Sequence, residues 1–287
     1  MGVILELVLA LLWLWALYGL LSAAFALGFR VGGFFDLSVG ASFLVGAYAS
    51  WALARAAPLF VAVGGGVLLA ALGAVALGRW LVAPLAVRLP PLALFVATLA
   101  VLYMVQALAA ITFGEGALVL RSGPAPVFDL GPVNVTDIQL AFGAATAAAL
   151  IGVSIWLRVS RWGRFARAVA DDRGLAALFV VPVQGTILRC YAVGGALAGL
   201  AGAFFVADRA IDPSQALTVL LAAMAAAVLG GESINAAIVG ALVLAGLETS
   251  LGFFLPGNWR TTVAFGVLLA VLVARGGGLA QVVRRRI

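Results

Sequence analysis

The hydrophobic positions of this chain fall into long runs that are separated by short polar stretches. These runs cover residues 3–29, 59–83, 90–113, 138–157, 187–207, 234–255 and 260–274. Most of them approach the roughly 20 residues that a helix needs to cross a hydrocarbon layer about 30 Å thick. A water-soluble chain of 287 residues must show a polar face to solvent and cannot bury so many apolar runs. The pattern therefore predicts an all-α, polytopic bundle of transmembrane helices.

Two other stretches predict broken or partial crossings. Segment 216–230 is apolar but short for a full crossing. Segment 32–53 opens with polar residues and glycines before it becomes apolar. We therefore expect eight or nine spans within one domain, residues 1–287. Residues 1–29 are expected to form the first span rather than a secretory signal, because the start has no basic region and contains Glu6.

The distribution of charge predicts which loops face the cytoplasm. Loop 158–186 and the C-terminus hold clusters of arginine: Arg158, Arg161, Arg164, Arg167, Arg173 and Arg284 to Arg286. Loop 114–137 instead holds three acidic residues against Arg121 alone. Cytoplasmic loops carry the excess of basic residues, so loop 158–186 and the C-terminus are expected inside and loop 114–137 outside. The net charge of +6 is then a topological signal, and we expect no nucleic-acid partner.

Residue types that are missing from the chain narrow its chemistry. All seventeen basic residues are arginine, and there is no histidine. Without lysine there is no phosphate-binding loop of the ATPase type and no Schiff base. Without imidazole there is no Ser-His dyad and no histidine ligand for zinc. The single cysteine, Cys190, cannot form an intramolecular disulfide. We therefore expect neither an enzyme nor a bound cofactor or metal.

One polar stretch opens the second apolar helix. Asp36, Ser38, Gly40 and Ser42 occupy positions where apolar side chains would insert at lower cost. An aspartate inside the membrane costs about 2.5–3.5 kcal/mol on insertion scales, which favours a polar cavity or a partner. The alternative is that the nearby Arg30 marks a site among the lipid headgroups.

A second stretch, residues 228–248, has a similar construction. It places Glu232, Ser233 and Asn235 at a glycine-containing junction between apolar helices. Both stretches continue into paired glycines, Gly40 with Gly46 and Gly240 with Gly246. Transporters built from two repeats place binding elements at interrupted segments in corresponding positions, so the pattern predicts a weak two-half repeat. The alternative is that the glycines only allow close helix packing and that the acids lie at the membrane interface.

The apolar run 90–113 contains further polar side chains. Thr98, Tyr103 and Gln106 lie within it. Gln106 cannot bury its amide without hydrogen-bond partners, so it faces either another helix or a water-filled path.

Segment 160–183 predicts an amphipathic helix. Trp162, Phe165 and Val169 recur at helical spacing. Charged residues and a small-residue turn surround them: Arg161, Arg164, Arg167, Asp171, Asp172 and the Ala176–Ala177 turn. One interpretation is a basic helix that lies on anionic lipid. The other is a docking helix that enters a groove in a cytoplasmic partner, since a lipid-surface helix would not need the adjacent acids and the turn.

Four segments carry a resemblance to a known family. In chain order they are WGRFARAVADDRGLAAL, YAVGGALAGLAGAF, AAVLGGESINAAIVGALVLAGLE and TTVAFGVLLAVLVARGGGLA. In this order and spacing, the chain resembles the permease subunits of the branched-chain amino acid ABC importers over nearly its whole length. Some segments depart from the family: FFDLSVG at 34–40 is similar to a motif of ribose-type sugar permeases, Val180–Val181 replaces a glycine-isoleucine pair, and GESINAA at 231–237 replaces a Gly-Ser-Ile-Pro-Gly run. These departures leave the cargo open.

The resemblance implies a permease of a bacterial plasma (inner) membrane that binds no ATP itself. Its partners would be a sister permease in a homo- or heterodimer, two cytoplasmic ATP-binding subunits, a periplasmic solute-binding protein and membrane lipid. The substrate path would include Asp36, Ser38, Gly40, Ser42, Thr98, Gln106, Glu232, Ser233 and Asn235. The ATPase-coupling element would include Arg161, Arg164, Arg167, Asp171, Asp172, Ala176 and Ala177.

The residues also allow other cargoes and another class of transporter. The expected cargo is a branched-chain or other small amino acid, whereas the sugar-type motif allows a sugar, urea or a short amide. A protein of a different class, an ion-coupled secondary transporter or channel, would need no soluble partners. It would use Asp36 and Glu232 as proton or cation sites.

Overall fold

The computed structural model describes residues 2–120, 127–129, 134–179, 181–231, 233–254 and 266. Three sequence predictions therefore fall outside the described residues: Glu232, the basic C-terminus with Arg284 to Arg286, and the last expected span, 260–274, apart from Gly266.

Helices account for most of the described chain. Their bounds are Gly2–Gly32 (α1), Ser38–Leu53 (α2), Leu59–Leu77 (α3), Ala83–Ala86 (α4), Pro91–Phe113 (α5), Asp137–Val159 (α6), Arg161–Asp171 (α7), Arg173–Leu178 (α8), Val183–Asp208 (α9), Gln215–Gly230 (α10) and Ile234–Phe254 (α11). A π-helical turn, Gly78–Val82, joins α3 to α4, so that residues 59–86 form one continuous helix.

The long helices confirm six of the apolar runs predicted from the sequence. Among the described residues, α1, α3 with α4, α5, α6, α9 and α11 are six helices long and apolar enough to cross a membrane. Two shorter apolar helices, α2 and α10, have 16 residues each. At about 1.5 Å per residue such a helix is roughly 24 Å long, less than the hydrocarbon thickness of about 30 Å. The chain is therefore a polytopic bundle with partial helices.

The all-α prediction is confirmed for the architecture, and the described chain adds one small feature, a hairpin of two short strands. Val127–Asp129 (β1) pairs antiparallel with Asn134–Thr136 (β2), with Val127 opposite Thr136. β-Branched and aromatic residues favour extended backbone, and the loop has them on both sides of a Leu-Gly-Pro stretch that favours a turn. The charges of this loop predict its side of the membrane but carry no information about its local conformation.

Helix α9 lies at the centre of the bundle because its small residues allow other helices to approach closely. It packs against α1, α2 and α3. A Cβ atom at Gly202 would lie 2.0 Å from the carbonyl oxygen of Phe43 on α2, and one at Gly195 would lie 2.4 Å from Cβ of Ala74 on α3. Such small-residue contacts are typical of helix packing in membranes, where apolar side chains gain little by leaving lipid.

Helix α11 is held against α1 and α10. The indole N–H of Trp15 on α1 donates to the carbonyl oxygen of Ile238 at 3.2 Å. A Cβ atom at Gly240 would lie 2.2 Å from the carbonyl oxygen of Ala226 on α10. The glycines of the expected two-half repeat thus serve close packing at Gly240 and also at Gly46, where a Cβ atom would lie 2.4 Å from Gly199 of α9. Gly246 differs, since its nearest neighbour would be a side-chain carbon of Leu11 at 3.8 Å.

The two ends of the bundle differ in the elements that they carry. We call the end with α7 and α8 the basic end and the end with β1 and β2 the hairpin end. At the hairpin end, Leu118 forms a β-bridge with Ile211, and the indole N–H of Trp51 donates to the carbonyl oxygen of Val119 at 3.2 Å. At the basic end, α7 packs against α6, α9 and α1.

Candidate functional site

The residues around Asp36 form a buried polar cluster at the basic end. Asp36 lies in the short connection between α1 and α2 and is only 1% exposed. Its Oδ1 accepts a hydrogen bond from the backbone N–H of Ser38 at 2.8 Å. The Tyr191 hydroxyl on α9 interacts with the Asp36 carboxyl group. It has no partner that meets standard hydrogen-bond geometry among the described residues. Asp36 therefore helps to start α2 and faces the central helix.

Thr98 brings α5 into this cluster. Its Oγ1 accepts a hydrogen bond from the backbone N–H of Leu37 at 3.2 Å and donates to the carbonyl oxygen of Phe95 at 3.0 Å. Thr98 is 1% exposed. The structure thus brings together two residues, Asp36 and Thr98, that the sequence predicted for the same path from segments about 60 residues apart.

We expect Thr98→Val to weaken the start of α2. Valine keeps the shape of threonine but leaves the buried N–H of Leu37 without an acceptor, which costs about 1–3 kcal/mol. Thermal unfolding of the purified protein in detergent measures the effect. Thr112→Val is the matched control, because among the described residues its hydroxyl bonds only to carbonyl oxygens of its own helix, those of Leu108 and Ala109. Equal stability of the two variants would contradict a role for Thr98 in holding the α1–α2 connection.

The other predicted residues of α2 make packing contacts. The Ser42 hydroxyl donates to the carbonyl oxygen of Ser38 at 3.2 Å, within the helix itself. A Cβ atom at Gly40 would lie 2.9 Å from a methyl carbon of Leu220 on α10 and 3.2 Å from one of Leu102 on α5. Ser42 and Gly40 are buried, so in this conformation they support the contacts of α2 with its neighbours.

Ser233 and Asn235 lie at the α10–α11 turn, and their contacts are separate from the Asp36 cluster. The Ser233 hydroxyl oxygen accepts from the backbone N–H of Ala236 at 3.1 Å, which caps α11. The Asn235 amide oxygen accepts from the Ser154 hydroxyl on α6 at 3.0 Å. Helix α2 packs on α9, α3, α5 and α10, whereas α11 packs mainly on α1 and α10. The two interrupted segments thus have different neighbours.

A second candidate site is an open cavity at the hairpin end. Its volume is about 590 Å³. One stripe of α5 lines it with Tyr103, Gln106, Ala107 and Ala110, and the loops add Glu115, Ala117, Asp212, Pro213 and Ser214. The Gln106 Nε2 is buried and has no hydrogen-bond partner among the described residues. The structure thus places Gln106 at the cavity, and its role in a solute path stays a prediction. We call this cavity the vestibule.

Helices α7 and α8 confirm the amphipathic helix expected at 160–183, with a break at Asp172. The apolar face of α7 is turned inward, where Ala166, Val169 and Ala170 are buried. Arg161 and Arg164 are exposed on the other face. Because the bundle itself covers the apolar face, little of it is left to enter a lipid surface.

Three of the residues predicted for ATPase coupling have partners within the chain. Arg167 donates to the carbonyl oxygen of Leu157, near the end of α6. The Asp172 carboxylate caps α8 by accepting from the backbone N–H of Leu175 at 3.0 Å. Ala176 is 4% exposed and lies in α8 rather than in a turn, because the Asp172 cap starts a new helix there. Asp171 and Ala177 are exposed.

Sequence reasoning missed several residues of this surface and of the bundle interior. Leu175, Leu178 and Phe179 are 55%, 78% and 78% exposed on the α8 segment. Their apolar type suggested burial, and only the three-dimensional fold shows that they point outward. Glu248 is 6% exposed in α11 and accepts a hydrogen bond from the Tyr18 hydroxyl on α1 at 2.9 Å. A lone acid inside an apolar run was the available signal for Glu248.

These features define a multi-pass membrane protein with a basic amphipathic segment at one end and a polar vestibule at the other. Residues 7–272 match the family described as branched-chain amino acid transport system / permease component. The chain therefore belongs to this family.

Individual relatives agree with this assignment. The chain is 30% identical over 148 residues to the high-affinity branched-chain amino acid transport system permease protein LivH of Salmonella typhimurium. This match covers 51% of this chain and 48% of LivH. It is 31% identical over 150 residues to the corresponding protein BraD of Pseudomonas aeruginosa, again 51% of this chain and 48% of the relative. The chain is 37% identical over 139 residues to the autoinducer 2 import system permease protein LsrC of Klebsiella pneumoniae, 45% of this chain and 40% of LsrC. The chain thus spans about half the length, or less, of the curated relatives it matches.

A solved structure shows the same fold. The chain matches a chain of the structure titled PsaBC from Streptococcus pneumoniae in complex with Fab, with a TM-score of 0.51 and 15% sequence identity. The match covers 91% of this chain and 89% of the other. At this identity the likeness concerns the arrangement of the helices alone.

Proposed function

We propose that this chain is the permease subunit of an ABC importer in a bacterial inner membrane. It pairs with a sister permease and forms the path for a branched-chain or other small amino acid. Two separate ATP-binding subunits supply the energy, and an external binding protein delivers the solute. The observation that carries this proposal is the family match over residues 7–272. The bundle also exposes a surface of basic and apolar residues on α7 and α8.

The basic end is proposed to face the cytoplasm. Arg158, Arg161, Arg164, Arg167 and Arg173 all lie in or next to α7 and α8. The positive-inside rule favours this side for such a cluster. The vestibule and the β-hairpin then lie outside, where a binding protein delivers solute, and the C-terminus lies in the cytoplasm.

The outer surface of α7 and α8 is proposed as the docking surface for an ATP-binding subunit. We define it by Arg161, Arg164, Leu175, Leu178 and Phe179, all of which are exposed. Leucine and phenylalanine side chains exposed beside arginines combine the apolar anchors and the charged rim of a protein interface. Lipid is a weaker alternative, because the apolar face of α7 is already buried in the bundle.

Helix α5 is proposed to line the solute path. It carries Gln106 at the vestibule and Thr98 at the Asp36 cluster, two turns closer to the basic end. The separation of eight positions in sequence corresponds to about 12 Å along the helix. A path along α5 would therefore lead from the external cavity towards the polar cluster. The carboxylates of Glu115 and Asp212 at its entrance are suited to the ammonium group of an amino acid.

We expect Gln106→Leu to reduce solute uptake by at least tenfold without unfolding the protein. The leucine removes the amide that would replace water around a passing polar solute. It should not unfold the protein, because it also removes a buried amide N–H group that has no partner among the described residues. Uptake of radiolabelled leucine into proteoliposomes that contain the complete assembly measures the effect. Leu108→Ala, an exposed position on the same helix, is the control and should retain normal uptake. Normal uptake by Gln106→Leu would contradict a path along α5.

The names of the relatives support an amino acid cargo, and this choice needs its own test. LivH and BraD carry branched-chain amino acid transport in their names, and LsrC carries autoinducer 2 import. We propose the first because LivH and BraD align over more of this chain than LsrC does. Isolation of the binding protein that associates with this chain, followed by mass spectrometry of its bound solute, tests the choice. A bound sugar or amide would replace the amino acid and leave the ABC role intact.

Co-purification tests the ABC role itself. The chain, tagged and extracted from its native membrane in mild detergent, should bring an ATP-binding protein with it in about equal amounts. Purification of the chain without any such protein, under conditions that preserve its fold, would contradict the proposed function.

One observation favours a second class of protein. The Glu248 carboxyl group is buried in α11 and bonded to Tyr18. Buried acids inside membrane helices are characteristic of proton and cation pathways. An ion-coupled transporter built on this pair would concentrate solute under an ion gradient without ATP.

A further inference from the structure

The guanidinium group of Arg173 links α8 to the end of α1, the first membrane helix. Arg173 is the first residue of α8, and its Nη2 donates to the carbonyl oxygens of Val31 and Gly32. These carbonyls belong to the last turn of α1, where no backbone N–H of the helix is available to them. A cation at this position also interacts favourably with the helix dipole. Arg173 is therefore a C-terminal cap that is supplied by a distant segment.

The residues that follow this cap lead directly to the start of α2. Gly33 has a φ of 74°, which only glycine adopts without strain, so the chain turns sharply after α1. Phe34 then packs with Val82 and Tyr191 in a small apolar cluster. Asp36 holds the first turn of α2 through the N–H of Ser38. A displacement of the α1 end would therefore reach α2 over only a few residues.

Other side-chain contacts at this end lead from α7 to different helices, although α7 also packs against α1. Arg167 of α7 bonds to Leu157 of α6. The guanidinium group of Arg189 on α9 lies 3.2 Å from the centroid of the Trp162 ring of α7. These contacts hold α7 on α6 and α9, whereas Arg173 joins α8 to α1. Loss of Arg173 would therefore loosen the end of α1 from α8, while α7 and the contacts of Thr98 with the α1–α2 connection stay in place.

A cavity beside Arg173 provides room for movement. Its volume is about 540 Å³. It lies between residues 169–174, the connection after α1 at Gly32 to Phe34, and the α4–α5 turn at Leu89 and Pro91. Such a space allows α8 and the α1–α2 connection to change their separation without breaking a packed core.

We propose that Arg173 transmits movement of the docking surface to the start of α2, and thereby to the solute path. This proposal rests on the proposed function, because only a docked ATP-binding subunit sets the direction of the movement, from α8 to α2. When a docked ATP-binding subunit displaces α8, Arg173 pulls the last turn of α1 with it. The Asp36 connection follows, and α2 shifts against α5. Arg173 is thus a positioning residue that contacts neither solute nor nucleotide.

The first test uses the chain without partners. In a Cys190→Ala background, Phe35→Cys places a thiol in the α1–α2 connection, at a half-buried position that packs against the ring of Phe29 in the original protein. We expect Arg173→Gln to increase the rate of maleimide labelling at this thiol by at least threefold in nanodiscs. Arg158→Gln, an exposed arginine at the same end, should leave the rate unchanged. An unchanged rate in Arg173→Gln would overturn the proposal whether or not the chain is an ABC permease.

The second test uses the complete assembly in proteoliposomes. Arg173→Gln should lower the number of solute molecules imported per ATP hydrolysed at least tenfold, while ATP hydrolysis continues. Arg173→Lys should lower the ratio about threefold, since an ammonium group cannot hold both carbonyls in the planar geometry of a guanidinium group. A wild-type ratio in either variant would overturn the proposal, so Arg173→Lys decides the question if Arg173→Gln does not fold. If the unmodified assembly shows no ATP-driven import, the proposed function fails and the labelling test still decides the role of Arg173.

Discussion

Replacement of Gly202 by alanine should destabilise the purified protein by about 3 kcal/mol. The added Cβ atom would lie 2.0 Å from the carbonyl oxygen of Phe43 and 3.0 Å from the backbone nitrogen of Ala47. Both atoms belong to the backbone of α2, so no side-chain rotation relieves the contact. The two helices would have to separate, and overpacking of this kind typically costs about 1–3 kcal/mol. Thermal unfolding in detergent measures the change.

The control for this prediction is Gly73→Ala on α3. Apart from the backbone of its own helix turn, no atom of the described residues lies within 4 Å of the position that a Cβ atom would take at Gly73. Alanine is the better helix former by about 0.5–1 kcal/mol, so this variant should be as stable as the original protein or slightly more stable. If the two variants changed stability equally, the close α2–α9 crossing would be wrong.

Reversal of charge at Arg164 should release the ATP-binding subunit. Arg164 is exposed and belongs to the proposed docking surface, whose arginines are suited to an acidic patch on the partner. A like-charge contact across an interface costs several kcal/mol, and each 1.4 kcal/mol corresponds to about tenfold in affinity. We therefore expect Arg164→Glu to weaken binding at least tenfold in co-purification and in titration of the ATP-binding subunit against the permease in nanodiscs.

A control variant separates an effect on docking from an effect on folding. Arg55→Glu is the matched control, since Arg55 is exposed at the hairpin end, where no ATP-binding subunit is expected. Arg167 is unsuitable as a docking variant because its side chain bonds to Leu157 within the chain. Normal binding by a folded Arg164→Glu variant would contradict the proposed docking surface, whereas equal loss in Arg55→Glu would indicate a general effect on the protein.

Hydrophobic runs predicted the long helices because membrane insertion depends on length and apolarity, which a sequence displays directly. The same is true of α7, whose Trp162, Phe165 and Val169 recur at helical spacing and lie in the observed helix. The β-hairpin was missed because the charges of loop 114–137 predict its side of the membrane and carry no information about its conformation. The sequence also gave no sign that Arg167 and Asp172 would be used inside the chain, since a cap is recognised only when the helix end that it caps is known.

The polar residues show a further limit of sequence reasoning. Asp36 and Thr98 could each be recognised as costly in an apolar environment, and the structure brings them to the same connection. Tyr191 was not identified, because a tyrosine in an apolar helix is ordinary until its hydroxyl is seen beside a carboxylate. Arg173 looked like one more basic residue of a loop. Its role depends on the three-dimensional position of the α1 end, 142 residues away in sequence.

Transport by the reconstituted chain, with and without its companions, tests the central claim most directly. The measurement is uptake of radiolabelled leucine into sealed vesicles against its concentration gradient. We predict concentrative uptake only when the ATP-binding subunits, the external binding protein and ATP are all present, and none in vesicles that contain this chain alone. Accumulation by the chain alone under a proton or sodium gradient would contradict the account and would favour an ion-coupled transporter built around Glu248.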